Sequence, residues 1–131
     1  MIIEDKIQGF NTAKRLPIVF CLDVSPSMGW KEGNNSSSME LLNAAVSNFI
    51  KELKQDAKAR SAAEVAFVTF STNIEMDTEF ESINSLKTPL FAPVDRGGTQ
   101  MAQAVLKSIE KIEQRRTQLE NSEIGYYAPF M

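Results

Sequence analysis

Six residues run without a polar break from Pro17 through Ile18, Val19, Phe20, Cys21 and Leu22, and the run stops at Asp23. A short continuous run rich in β-branched and aromatic residues predicts a strand buried on both faces. Pro17 at its start and its short length argue against a helix. Residues 23–38 are dominated by Gly, Pro, Asn and Ser, the composition of a loop. Ser37 and Glu40 then stand at capping-box spacing. Behind them Leu42, Val46, Phe49, Ile50 and Leu53 form one helical stripe, so a helix is predicted from about 38 to about 56.

Glu64 to Phe70 repeats the buried-strand pattern. After the turn Ser71-Thr72-Asn73, the residues Ile74, Met76, Thr78 and Phe80 alternate with Glu75, Asp77, Glu79 and Glu81. Period-two alternation after a three-residue turn predicts an antiparallel hairpin. Its four outward carboxylates suit a solvated edge strand. Residues 82–96 are irregular. Gly97-Gly98-Thr99 leads into a second stripe of Ala102, Val105, Leu106, Ile109 and Ile112, predicting a helix over about 99–117 with Thr99 near its N-cap. Gln103, Lys107, Glu110, Lys111 and Arg115 fall on the far side and read as its solvated face. Residues 1–16 read as a polar lead-in and 17–131 as one domain.

Composition narrows the chemistry. The chain has 131 residues, of which 43% are apolar, enough for a core. It has no histidine, which excludes Ser–His and Cys–His nucleophiles and histidine-ligated zinc. Its one cysteine, Cys21, excludes an internal disulfide and reads as an inert core thiol. The net charge of −3 offers no electrostatic footprint for nucleic acid. No apolar run reaches the roughly 20 residues of a membrane span. The N-terminus lacks signal-peptide patterning, and the expected compartment is the cytoplasm.

Two segments carry candidate chemistry. Asp23-Val24-Ser25-Pro26-Ser27 follows the carboxyl end of a buried strand, where open α/β sheets bind ligands. It sets a carboxylate and two hydroxyls at spacing two. Oxygen donors of this kind suit a hard dication, Mg²⁺ or Mn²⁺. A plain polar turn is the competing reading of the same residues. Gly97-Gly98-Thr99 allows close backbone approach and adds one more oxygen, but it matches no phosphate-binding glycine motif.

Together, Asp23-x-Ser25-x-Ser27 after an apolar strand and Gly97-Gly98-Thr99 before a helix resemble the metal-ion-dependent adhesion site of von Willebrand factor A domains. Val68-Thr69-Phe70-Ser71 is similar to the family's second-strand motif. Arg15-Leu16-Pro17 and the stand-alone context resemble small bacterial members linked with tellurite-resistance-type stress operons. The resemblance covers about residues 15 to 131. It implies an α/β fold, the N-terminal part of a Rossmann-like domain built as strand, helix, β-hairpin, helix, with an incomplete sheet. It also implies that Asp23, Ser25, Ser27 and Thr99 surround one Mg²⁺ and that a protein partner completes its shell with a carboxylate. From the residues themselves, Trp30 reads either as a partner contact or as local packing over the loop, and Asp95 and Arg96 either as a partner-binding rim of the site or as ordinary paired or solvated charges.

The family's further metal-site Asp, which follows the next buried strand, has no counterpart before Met131. The expectation is therefore a domain truncated ahead of its fourth strand, with Asp23 as the one charged ligand and weak metal binding. An unpaired first-strand edge, Ile18 to Leu22, is expected to draw the chain into a homodimer or higher oligomer, with Tyr127 to Met131 adding a short strand. The implied role is non-catalytic binding. The alternatives are a Mg²⁺-dependent phosphatase of the haloacid-dehalogenase type, disfavoured because Ser25 stands where its second Asp belongs, and a truncated product without independent function.

Overall fold

The computed structural model describes residues 14–31, 33, 35–122 and 125. Strand β1 (Leu16–Asp23) is followed by a 3₁₀ turn at Pro26–Gly29, helix α1 (Ser38–Gln55) and the short helix α2 (Ala57–Ala62). Strand β2 (Ala63–Phe70) leads to β3 (Ile74–Asp77) and β4 (Glu81–Ser82), and helix α3 spans Met101–Asn121. β1 and β2 pair in parallel over their whole length, from Leu16 opposite Ala63 to Asp23 opposite Phe70. β3 and β4 both run antiparallel to β2 on its other side.

The apolar strands are continuous because each of their faces meets a different core. Ile18, Leu22, Val65 and Phe67 pack with Met39, Val46 and Ile50 of α1. Val19, Ala66, Val68 and Phe70 pack with Ala104 and Ile112 of α3. A sheet covered on both faces is the layout that near-continuous hydrophobic strands demand. It bears out the α/β reading. β2 is the central element, with all eight of its residues buried.

α1 begins where the capping box puts it. Ser37 Oγ accepts from the Glu40 amide at 3.1 Å, and Glu40 accepts from the Ser37 amide at 2.8 Å. The same hydrogen bond to Ser37 heads the influences that hold the Glu40 carboxyl below its ordinary value. α2 was not anticipated. Asp56 creates it by capping two amides, those of Lys58 and Ala59, at 2.9 and 3.0 Å.

Several sequence expectations need correction. The hairpin forms, but its second arm is broken into β3 and β4. Thr78 interrupts the ladder by accepting from the Phe67 amide through its own hydroxyl, at 2.8 Å. The register also shifts between Thr69 and Phe70, which leaves Met76 exposed instead of inward. Nor are the carboxylates of this arm all solvated. Asp77 lies 2.7 Å from Lys111 and 3.4 Å from Lys107, and Glu75 accepts from Ser71 at 2.8 Å.

Helix α3 departs further. It is rotated so that Ala104, Ser108, Lys111, Ile112 and Leu119 are buried, while Ala102, Leu106 and Ile109 of the expected stripe are exposed. Two charged anchors set that rotation. Lys111 reaches Asp77, and Arg115 reaches Glu64 on β2. The supposed solvated face is therefore partly a docking face. Ser108 satisfies itself on the Ala104 carbonyl at 2.8 Å. Cys21 is partly buried and packs against the core under α3.

The irregular segment after β4 is held across α1. Asn43 donates to the Phe91 carbonyl and accepts from the Phe91 amide, both at 2.8 Å. Ile83, Leu86 and Phe91 bury behind this clamp. The lead-in falls largely outside the described residues, and Leu16 already belongs to β1. The strand expected at Tyr127 to Met131 lies wholly outside them.

Candidate metal centre

Every residue proposed for cation binding lies at the carboxyl end of β1 or in a segment tied to the same end of β2. Asp23 closes β1 opposite Phe70. Its Oδ1 accepts from the Ser25 amide at 2.8 Å, which fixes the carboxylate over its own loop and leaves Oδ2 for another partner. The Ser25 side chain is buried, yet its hydroxyl meets the Ser27 hydroxyl only at 3.5 Å. That is a poor hydrogen bond. Pro26 starts the 3₁₀ turn that follows Ser25, and Ser27 projects from its exposed side.

Thr99 arrives from a distant part of the sequence. It is exposed and sits just ahead of α3, whose N-cap is Gln100 and not Thr99. Its flanks are anchored on the end of β2. The Gly98 amide donates to Thr72 Oγ1 at 2.6 Å, and the Gln100 amide donates to the Ser71 carbonyl at 2.7 Å. Gly97 is needed for this approach. Its φ of +131° lies in the region that side chains rarely adopt, and a Cβ there would stand 2.9 Å from Thr72 Oγ1.

A third segment joins from residues 93–96. The Val94 amide donates to the Val24 carbonyl at 2.8 Å, while Val24 itself donates to the Phe70 carbonyl at 2.8 Å. Pro93 presses on Gly29, where a Cβ would come within 2.8 Å of the proline ring. Asp95 and Arg96 are thus carried beside the Asp23 loop, both exposed. Trp30 follows the 3₁₀ turn and is 72% exposed, so it does not pack over the loop.

Sequence reasoning missed the anchoring role of Ser71 and Thr72, which read as a turn, with Ser71 also closing the Val68-Thr69-Phe70-Ser71 motif. They are the anchors that bring the Thr99 segment to β2. Two hydroxyls directly after a buried strand were the available signal. Among the described residues, no three His, Cys, Asp or Glu side chains gather into a metal-holding group. The oxygen set at this end therefore depends on hydroxyls.

The chain belongs to the von Willebrand factor type A domain family, whose pattern matches residues 18–125. No curated protein matches the sequence. Among solved structures, the chain is similar to the PilB minor pilin from Streptococcus sanguinis, with 18% identity and a TM-score of 0.59 over 81% of this chain. A mutant form of the same pilin superposes over 84% of this chain, with 21% identity and a TM-score of 0.60. In both cases the chain spans only 28% of the pilin's length. At these identities the likeness is one of fold. Among the described residues, no helix is long and apolar enough to cross a membrane.

Proposed function

We propose that this chain is a metal-assisted protein-binding module, not an enzyme. A von Willebrand A domain is a general protein-interaction fold, and the finer reading rests on the loop chemistry. Asp23, Ser25, Ser27 and Thr99 would hold Mg²⁺ or Mn²⁺. All four offer oxygen, the donor that hard dications take. The observation that carries the reading is the Asp23 turn. It spends one carboxylate oxygen on its own loop and keeps the buried Ser25 hydroxyl short of a good partner. The cation would supply a positive charge that a partner's Asp or Glu side chain can complete. Trp30, Asp95 and Arg96, all exposed around that loop, would contact the partner.

With Asp23 as the single carboxylate among those four, binding should be weak. A bacterial stress-response setting of the tellurite-resistance type goes with this reading, as does self-association. Among the described strands, β1 has a strand partner on one side only. A second copy of the chain would cover the other side.

The test is titration of Mg²⁺ and Mn²⁺ into ¹⁵N-labelled chain. Amides of 23–27 and 97–100 should shift or broaden, with saturation only at high cation concentration, and Asp23→Ala should abolish the response. An acidic peptide should then bind the loaded form better than the metal-free one. Unchanged amides in those two loops, or an equal response in Asp23→Ala, would overturn the assignment.

A further inference from the structure

At the opposite end of the sheet, where β1 and β2 begin, lies a polar cavity of about 190 Å³. Arg15, Arg60 and Arg115 line it together with Glu64, Ser82 and Asn84. The three arginines come from the start of β1, from α2 and from α3, so tertiary structure alone brings them together. All three line it in a chain whose net charge is −3, against its overall sign.

Glu64 does not neutralise all three. Its carboxylate is taken by Arg115 in a two-pronged pair, Nε to Oε1 at 2.6 Å and Nη2 to Oε2 at 2.5 Å. Arg15 stands off at 3.9 Å from the same carboxylate. The other contacts fix guanidinium groups without cancelling charge. Arg15 Nη1 donates to the Ser61 carbonyl at 3.2 Å, and Arg60 Nη1 donates to the Lys54 carbonyl at 3.1 Å. Among the described residues, the remaining N–H groups of Arg15 and Arg60 have no hydrogen-bond acceptor. Among the described residues, the cavity lining carries three arginines against one carboxylate, an excess of two positive charges.

Asn84 is also positioned, donating through Nδ2 to the Arg60 carbonyl at 2.9 Å. It ties the segment after β4 to α2 and closes one wall. Planar guanidinium forks pair with tetrahedral oxyanions through two parallel N–H···O bonds, and they do so most strongly where water is partly excluded. The volume admits an ion of phosphate size with accompanying water.

We propose that this cavity is a binding site for a small dianionic oxyanion of the phosphate class, held by Arg15 and Arg60 while Arg115 keeps Glu64 out of its way. The site is independent of the candidate metal centre, which lies at the other end of the strands.

The test uses the full chain and inorganic phosphate as probe, with sodium chloride at matched ionic strength as control. Phosphate should bind saturably at one site and raise the melting temperature. Amides of Ala62 to Glu64 and of Asn84 should shift, with those of 23–27 unmoved. Arg60→Ala should weaken binding about tenfold, which is about 1.4 kcal/mol. Arg15→Gln should do the same, and Asp23→Asn should leave phosphate affinity unchanged. Circular dichroism identifies any variant that fails to fold, in which case the wild-type shift map decides. Binding no greater than the chloride control, shifts that map elsewhere, or full affinity in both folded arginine variants would overturn the proposal.

Discussion

Arg115 and Glu64 lie 51 positions apart and form a two-pronged ion pair between α3 and the start of strand β2. Its hydrogen bond to Glu64 is the main influence raising the Arg115 pKa above its ordinary value. The pair links two packing layers and, with Lys111 on Asp77, sets the rotation of α3. Removing one partner leaves the other desolvated. Arg115→Met is expected to cost about 2–4 kcal/mol in urea unfolding. Arg15, 3.9 Å from the same carboxylate, should recover part of that loss. The Arg15→Gln/Arg115→Met double variant should therefore lose more than the sum of the two single changes.

The Asn43 clamp on Phe91 works as a piece of backbone pairing supplied by a side chain. Both its bonds are part-buried, and they fasten a segment with no ladder of its own. Asn43→Ala should destabilise by about 2–3 kcal/mol, because it orphans an amide and a carbonyl together. Hydrogen exchange should rise first over 86–94. Uniform exchange across the chain would show that the clamp is not local.

Two positive-φ glycines give a controlled comparison. Gly33 has a φ of +61° and open space around it, so Gly33→Ala pays only backbone strain, about 1–2 kcal/mol. Gly97 combines φ of +131° with Thr72 and Ser71 at contact. Gly97→Ala should cost more than Gly33→Ala in thermal melts. It should also lower the response of the 97–100 loop to Mg²⁺. Equal costs at the two positions would contradict the close approach.

Asp77 supplies a pH-dependent term. Burial pushes its carboxyl up, but the hydrogen bonds and charges of Lys111 and then Lys107 outweigh this and hold the net value below the ordinary one. A carboxyl depressed in the folded state binds its proton more readily when unfolded. The stability it lends is therefore present above the ordinary aspartate range and fades as pH falls through the folded value. Asp77 is largely solvent-screened, so the effect is small, below about 1 kcal/mol. Wild type should be more stable than Asp77→Asn at neutral pH, and the gap should close as pH falls below the ordinary aspartate value of 3.8 and through the folded value. A gap that persists in acid would place the effect elsewhere.

Self-association should be visible at the side of β1 that no described strand covers. Lys107 and Lys111 face β3, so Ala102 and Ile109 lie on the opposite flank of α3. Ile109 is 44% exposed there. The chain is expected to sediment as a dimer or larger species at high micromolar concentration. Ile109→Glu should shift it toward monomer with little change in stability. A monomer at those concentrations would remove the association part of the proposed function.

The sequence by itself determined the elements whose cause is local. The two apolar runs became β1 and β2, and Ser37 with Glu40 started α1 where the capping box put it. The Asp23-x-Ser25-x-Ser27 loop and the Gly97-Gly98-Thr99 turn were legible for the same reason, since turn chemistry is written in neighbouring residues. What depended on distant partners was not legible. The rotation of α3 was decided by Asp77 and Glu64, charges on other strands that outcompeted its own apolar stripe. Thr78 broke an alternating strand because its hydroxyl met the amide of Phe67. Ser71 and Thr72 became anchors, and three arginines came to share one cavity, only once β1, β2, α2 and α3 were packed. Periodicity records which face of an element is apolar. Which face turns inward is set by the ion pairs and hydrogen bonds that packing must satisfy, and those join residues the sequence keeps far apart.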